Sequence, residues 1–221
     1  MSGAATFLFD MDGVLLDSER PSLALLERML QRAGAGHDPD TVRSVCGRPA
    51  AFLRAYVADH LGDGPRVDAF VEAFDAGKRR LAAAGRLRAF PAAAGVLALL
   101  RERGAKLAVA TSTHAAEARA RLARDDLERW FDRIVTGDEV ARGKPAPDIF
   151  LLAAERLGVA PAACTVVEDS RAGVAGGRAA GMTVFALATT FPAGELGSAH
   201  RVFDGMEDLR TFLESTLPAT A

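Results

Sequence analysis

Short unbroken apolar runs alternate with longer amphipathic stretches along most of this chain. The first run, Phe7-Leu8-Phe9, leads straight into Asp10-Met11-Asp12-Gly13. An apolar run without polar alternation predicts a strand buried on both faces. Comparable runs at 106–111, 133–137, 164–169 and 183–187, and a shorter one at 201–204, predict further strands. Between and after them, residues 115–127, 147–157, 171–180 and 206–216 read as helices. Phe90-Pro91 opens another, with Val96, Leu97, Leu99 and Leu100 on one face and Gly104 at its end. Strands and helices alternating at this spacing predict an α/β fold, a parallel sheet with helices on both faces.

Residues 17–87 have a different texture. Asp17-Ser18-Glu19 marks a helix start, with Pro21 tolerated in the first turn. Leu23, Leu26, Leu30 and Ala33 follow at helical spacing, and Gly34-Ala35-Gly36 ends the helix. A loop carrying Asp38, Pro39 and Asp40 leads to Thr41–Cys46 and then Gly47-Arg48-Pro49. Two more helical patterns run through Phe52, Leu53, Tyr56 and Val57, and through Val67, Phe70, Val71, Phe74 and Leu81. This stretch contains no strand candidate. It is expected to be a helical insert (17–87) in an α/β core made of residues 1–16 and 88–221.

The polar residues gather where the predicted strands end. Asp10 and Asp12 stand at the end of the first strand, Thr111 and Ser112 at the end of 106–111, and Glu168 and Asp169 close 164–169. In an extended backbone Asp10 and Asp12 would point the same way, because side chains alternate with period two. Two carboxylates aimed at one crevice repel unless a cation or proton lies between them. Open α/β sheets bind ligands just outside the carboxyl ends of their strands. Four acids, two hydroxyls and a lysine at one rim suit a hard cation plus a phosphate. Oxygen ligands favour Mg²⁺, helix-start N–H groups hold phosphate oxygens, and an ammonium offsets remaining charge. Turn and cap roles for the same acids and hydroxyls are the structural alternatives.

Composition narrows the partners. The chain has 27 basic and 29 acidic residues and no basic run, so nucleic acid is not an expected ligand. No apolar stretch is long enough for a bilayer. Cys46 and Cys164 fit neither a disulfide framework nor a zinc pattern, and no signal peptide is evident, so a cytoplasmic setting is expected. Arginine is the ordinary cation here, which makes the three lysines, Lys78, Lys106 and Lys144, conspicuous. Lys144 lies in Gly143-Lys144-Pro145, ahead of a helix, within reach of the polar rim. Lys78 interrupts the apolar stripe of Val67, Val71, Phe74 and Leu81. It either snorkels at the stripe's edge or points into a cleft toward substrate, and Arg48 poses the same choice. His114 follows the Thr111-Ser112 loop and is expected to be exposed at a helix start, whereas His37, His60 and His200 read as solvated or structural.

Asp10-Met11-Asp12-Gly13-Val14, Thr111, Lys144 and Glu168-Asp169 together resemble, in order and spacing, the four motifs of the haloacid dehalogenase superfamily. The resemblance covers essentially the whole chain. It is nearest to the branch of β-phosphoglucomutase and phosphoglycolate-phosphatase-like enzymes. It implies a Rossmann-like core with an inserted all-α cap, Mg²⁺ as cofactor and an aspartyl-phosphate intermediate. By resemblance Asp10 is the nucleophile and Asp12 the general acid and base. Thr111, Ser112 and Lys144 hold the phosphoryl group, and Arg48 and Lys78 are candidates for the rest of the substrate. Asp10, Asp12 through its carbonyl, Asp169 and Glu168 hold the metal.

Asp12 separates this chain from the dehalogenase and phosphonate-cleaving branches, which lack the second acid. A β-phosphoglucomutase would carry a histidine where Ser22 stands and a cap-loop arginine where Ala50 stands. Both departures favour a phosphatase acting on a small phosphorylated metabolite, a sugar phosphate or a phosphoglycolate-like acid. A phosphomutase and a catalytically silent binding module are the alternatives. The expected assembly is a monomer or weak homodimer.

Overall fold

The computed structural model describes residues 5–217 apart from positions 37, 47 and 49, and of Ala50 the backbone alone. β1 (Thr6–Phe9) is followed by a two-residue strand, β2 (Leu16–Asp17), and by helices α1 (Glu19–Arg32), α2 (Pro39–Arg43), α3 (Ala50–Leu61) and α4 (Pro65–Ala83). β3 (Arg88–Ala89) brings the chain back beside β2, pairing antiparallel. Then come α5 (Ala93–Glu102), β4 (Lys106–Ala110), α6 (Ala115–Arg124), β5 (Arg133–Val135), α7 (Asp148–Leu157), β6 (Cys164–Glu168), α8 (Arg171–Ala179), β7 (Thr183–Leu187), β8 (Arg201–Phe203) and α9 (Met206–Thr216). Six strands form one parallel sheet in the order β5-β4-β1-β6-β7-β8. The expected α/β architecture is the observed one.

The apolar run of β1 explains its central place. Phe7 and Phe9 pack into one core layer, with Leu107 and Val109, while Leu8 enters the opposite layer, with Ala108, Ala110 and Val166. Full burial of a Leu or Phe side chain contributes about 1.5–3 kcal/mol. The strand that delivers the first acids is thus held from both faces. A third apolar cluster, including Leu26, Leu30, Val57, Val67 and Phe70, holds α1, α3 and α4 together. Gly77 permits the close approach of α4 to α1, since a Cβ there would lie 2.6 Å from Leu25.

Three local expectations differ from the structure. Leu16–Asp17 and Arg88–Ala89 are strands, where the pattern marks only the two joins between insert and core; two residues are too few for any periodicity to register. Pro39 and Asp40, expected in a loop, begin α2, because the Asp38 carboxylate caps it by accepting from Thr41 N–H at 3.0 Å. Finally, β1 ends at Phe9, so Asp10 and Asp12 do not share a strand face. The chain turns, Asp12 bridges to Leu16, and the two carboxyls meet different partners.

Candidate active site

Pairing sets Phe9 beside Val109 on one side and Val167 on the other. Asp10, Thr111 and Glu168-Asp169 therefore leave three adjacent strands at one rim of the sheet. From β1 the sheet is extended through β4 to β5 on one side, and the chain then crosses back to β6 on the other; ligands bind at such switch points. Gly13 has φ +76°, and a Cβ there would lie 1.8 Å from Asp169 Oδ2. Only glycine lets the turn after β1 admit that carboxyl.

Lys144 is the buried cation of this rim. Its Nζ donates to Asp10 Oδ1 at 2.5 Å, Glu168 Oε1 at 2.6 Å and the Ala110 carbonyl at 3.0 Å. Burial opposes its charge, but Asp10 and Glu168 outweigh burial and raise its pKa. Glu168 is fully engaged. Its Oε2 accepts from Asp169 N–H, Ser170 N–H and Ser170 Oγ at 3.0, 3.0 and 2.9 Å. Ser170 Oγ in turn accepts from Gly173 N–H at 3.0 Å, capping α8.

Asp12 is held separately. Its Oδ1 accepts from Ser18 Oγ at 2.5 Å and from Arg121 at 2.7 Å, and its Oδ2 accepts from Thr113 Oγ1 at 2.9 Å. Burial works against the Asp12 charge, yet the Arg121 guanidinium and the two hydroxyls outweigh it and hold the carboxyl below its ordinary value. Arg121, itself buried, also pairs with Glu117 one helical turn earlier at 2.5 Å. Thr111 is buried, and its Oγ1 accepts from Thr113 N–H at 3.1 Å, shaping the loop that contains Ser112.

The rim opens on a cavity of about 290 Å³ that α1, α3 and α4 also line, whereas buried Lys144, Glu168 and Asp169 are not part of its wall. Asp10, Asp12, Thr111 and Ser112 line it from the sheet side. Arg48 and Lys78 line it from the helical side, so both candidates reach the cleft. The Arg48 guanidinium lies 4.2 Å from the centre of the Phe52 ring, and Lys78 pairs with Asp75 at 3.0 Å. Ser22 and exposed His114 are at the wall as well. The side chain at Ala50 lies outside the described residues, as does His37. His60 stacks on Tyr56, and His200 accepts from Val184 N–H at 2.8 Å; both are away from the cleft.

The order of acids, lysine and hydroxyl, carried on this sheet, agrees with a sequence-model match. Residues 4–181 match the haloacid dehalogenase-like hydrolases. The chain belongs to that family. It is 36% identical over 175 residues to a phosphorylated carbohydrates phosphatase of Thermotoga maritima, covering 79% of this chain and 81% of that one. It is 34% identical over 212 residues to hexitol phosphatase A of Escherichia coli, with 92% of each chain covered. A hydrolase of Pseudomonas syringae superposes with a TM-score of 0.82 at 26% identity, covering 97% of this chain and all of that one.

Haloacid dehalogenase-like enzymes generally use Mg²⁺, and the acids here fit it. Burial first, then the charge of Glu168, pushes Asp169 well above its ordinary value; burial also lifts Asp10, to about 8, despite Lys144. A divalent cation relieves that crowding. No cage of three or more His, Cys, Asp or Glu side chains is found among the described residues. Mg²⁺ takes one or two carboxylates and fills its octahedron with water and phosphate oxygens.

Several partners escape sequence reasoning. Ser18 looked like a helix start, but its hydroxyl donates to Asp12 and makes no cap bond. Arg121 carried the i, i+4 acid–base pattern of an exposed pair with Glu117; its burial beside Asp12 comes from the packing of α6. Thr190, in the loop after β7, donates to Asp169 and has no motif to announce it.

Proposed function

We propose that this chain is a Mg²⁺-dependent phosphatase that hydrolyses a small phosphomonoester through a phosphorylated Asp10. The observation that carries this reading is the separation of two acids at one cavity: Asp10 against Lys144, and Asp12 against Ser18, Thr113 and Arg121. One carboxylate is poised for phosphorus and the other for a proton.

In the first step an Asp10 oxygen attacks phosphorus and the ester P–O bond breaks. The negative phosphate arriving beside Asp12 raises the proton affinity of its carboxyl, and the departing alkoxide takes the proton so held. In the second step water attacks the phosphorylated Asp10, Asp12 takes the water's proton, and inorganic phosphate leaves. Thr111, Ser112 and Lys144 neutralise and orient the phosphoryl oxygens, which is the main demand of phosphoryl transfer. Asp10, Asp169 and the Asp12 carbonyl would hold Mg²⁺, which would supply positive charge for the phosphate. Glu168, with both oxygens hydrogen-bonded, fixes Lys144 and the turn into α8, and would meet the metal directly or through water. Helices α1–α4 form the cap, and Arg48 and Lys78 meet the part of the substrate beyond the ester. The names of the relatives, phosphatases of phosphorylated carbohydrates and hexitols, support this substrate range. Ser22 at the cavity wall supports water as acceptor, because α1 presents no histidine there to gate Asp12.

Release of phosphate from p-nitrophenyl phosphate and from a panel of sugar phosphates, with and without Mg²⁺, tests the reading. Mg²⁺-dependent turnover abolished by Asp10→Asn is expected. Absent turnover, or unchanged turnover in Asp10→Asn, overturns it. Faster conversion of β-glucose 1-phosphate to glucose 6-phosphate than to free phosphate would make the chain a mutase.

A further inference from the structure

Glu19 stands in the first turn of α1, directly after β2, and lines the cavity with Asp12. The phosphoryl chemistry gives it no task. Its hydrogen-bond donor among the described residues is the Cys46 thiol at 3.3 Å, and a thiol is a weak donor. The other acids at the cavity wall are matched by cations. Asp10 has Lys144, Asp12 and Glu117 share Arg121, and Asp75 has Lys78. Burial and the charge of Asp12 push the Glu19 carboxyl up to about 7, against Cys46, Lys78 and Arg121. Near neutral pH it therefore carries part of a negative charge and, with one weak donor, keeps most of its acceptor capacity toward the cavity. The cavity's other cations, Arg48 and Arg79, belong to the helical side, and Arg79 is exposed. The wall around Asp12 and Glu19 is therefore an acceptor surface whose cation, Arg121, is already doubly paired.

We propose that Glu19 reads the alcohol part of the substrate: its carboxylate accepts a hydrogen bond from a hydroxyl of a polyol or sugar phosphate and repels a carboxylate carried in the same place. This rests on the phosphatase reading above and decides between the two substrate classes that it leaves open. A hydroxyl brings a donor to a charged acceptor and is favoured. A phosphoglycolate-like ester brings an anion beside Asp12 and Glu19 with no free cation on that wall to receive it.

The test uses the Mg²⁺-loaded full chain and three esters: glycerol 1-phosphate, n-propyl phosphate and phosphoglycolate. Wild type favours glycerol 1-phosphate over n-propyl phosphate in kcat/KM, with phosphoglycolate poorest. In Glu19→Ala the first ratio falls about tenfold to a hundredfold, the range expected for losing a hydrogen bond to a charged group. Glu19→Gln, which keeps the shape and removes the charge, raises phosphoglycolate relative to n-propyl phosphate. Ratios taken within one preparation are independent of the folded fraction. Unchanged ratios in both variants, or a wild type that prefers phosphoglycolate, overturn the role of Glu19 while the phosphatase reading stands. A wild type that releases phosphate from none of these esters, nor from p-nitrophenyl phosphate, overturns that reading and this role with it.

Discussion

The Lys144 ammonium touches both Asp10 and Glu168, at 2.5 and 2.6 Å, and so ties the ends of β1 and β6 together from a loop before α7. All three side chains are buried. Breaking a buried pair leaves an uncompensated charge, which is costlier than never having built the pair. Lys144 is therefore a structural as well as a chemical residue.

Replacing it separates those two roles by magnitude. Lys144→Met is expected to cost about 3–5 kcal/mol of stability, the usual range for removing one partner of a buried ion pair. Turnover of p-nitrophenyl phosphate should fall by at least about a thousandfold, since the phosphoryl oxygens lose their ammonium. Urea denaturation and steady-state kinetics on the same preparation measure both, and a stability loss below about 1 kcal/mol would contradict the buried-pair account.

Gly173 guards the other end of that bridge. A Cβ there would lie 1.9 Å from Glu168 Cδ and Oε1, so Gly173→Ala must displace the carboxylate that fixes Lys144. Loss of both stability and activity is expected. Gly194→Ala, where an added Cβ meets nothing within 4 Å, is the matched control and should change neither. Thermal unfolding and phosphate release distinguish the two.

Arg121 sets the proton affinity of Asp12. Removing its positive charge and its donor raises the Asp12 value, so the carboxyl stays protonated to higher pH. In Arg121→Met the basic limb of the kcat/KM profile for an alkyl phosphate should shift upward in pH. A shift in the opposite direction would mean that Arg121 acts on some other group.

Metal and pH are linked through Asp10 and Asp169. Both have folded-state values raised by burial, Asp10 to about 8. A raised acid contributes stability fully present below its unfolded value, near 3.8 for Asp10, and lost as pH climbs through the folded value. Metal-free protein should thus lose stability from about pH 4 to 8. Mg²⁺ binds the ionised carboxylates, so the rise in Tm on adding it should be larger at pH 8 than at pH 5. Differential scanning calorimetry with EDTA or Mg²⁺ provides the comparison, and an equal gain at both pH values would refute the linkage.

Much of this was legible in the residue order. An eight-residue sequence, Phe7 to Val14, holds a strand, its end and two acids, because an apolar run has few places to go other than the middle of a sheet. Arg121 and Thr190 were not legible. A helix pattern tells which residues share a face, but not which distant group that face will meet. The order of residues marks Glu168 as an acid at a strand end and does not name the partners of its two oxygens. Its hydrogen bonds to Ser170 and to the turn into α8 became visible only with the backbone in place.

Asp10 and Asp12 mark the division between the two kinds of information. The sequence by itself determined that two acids follow a buried strand and that a lysine, a threonine and a second acid pair recur at later strand ends. That much follows from local periodicity and composition. Only the tertiary structure decided that the chain turns after Phe9, giving Asp10 to Lys144 and Asp12 to Ser18, Thr113 and Arg121. Those partners lie up to 134 positions away. Parallel pairing of non-consecutive strands brings them together, and no local pattern encodes that pairing.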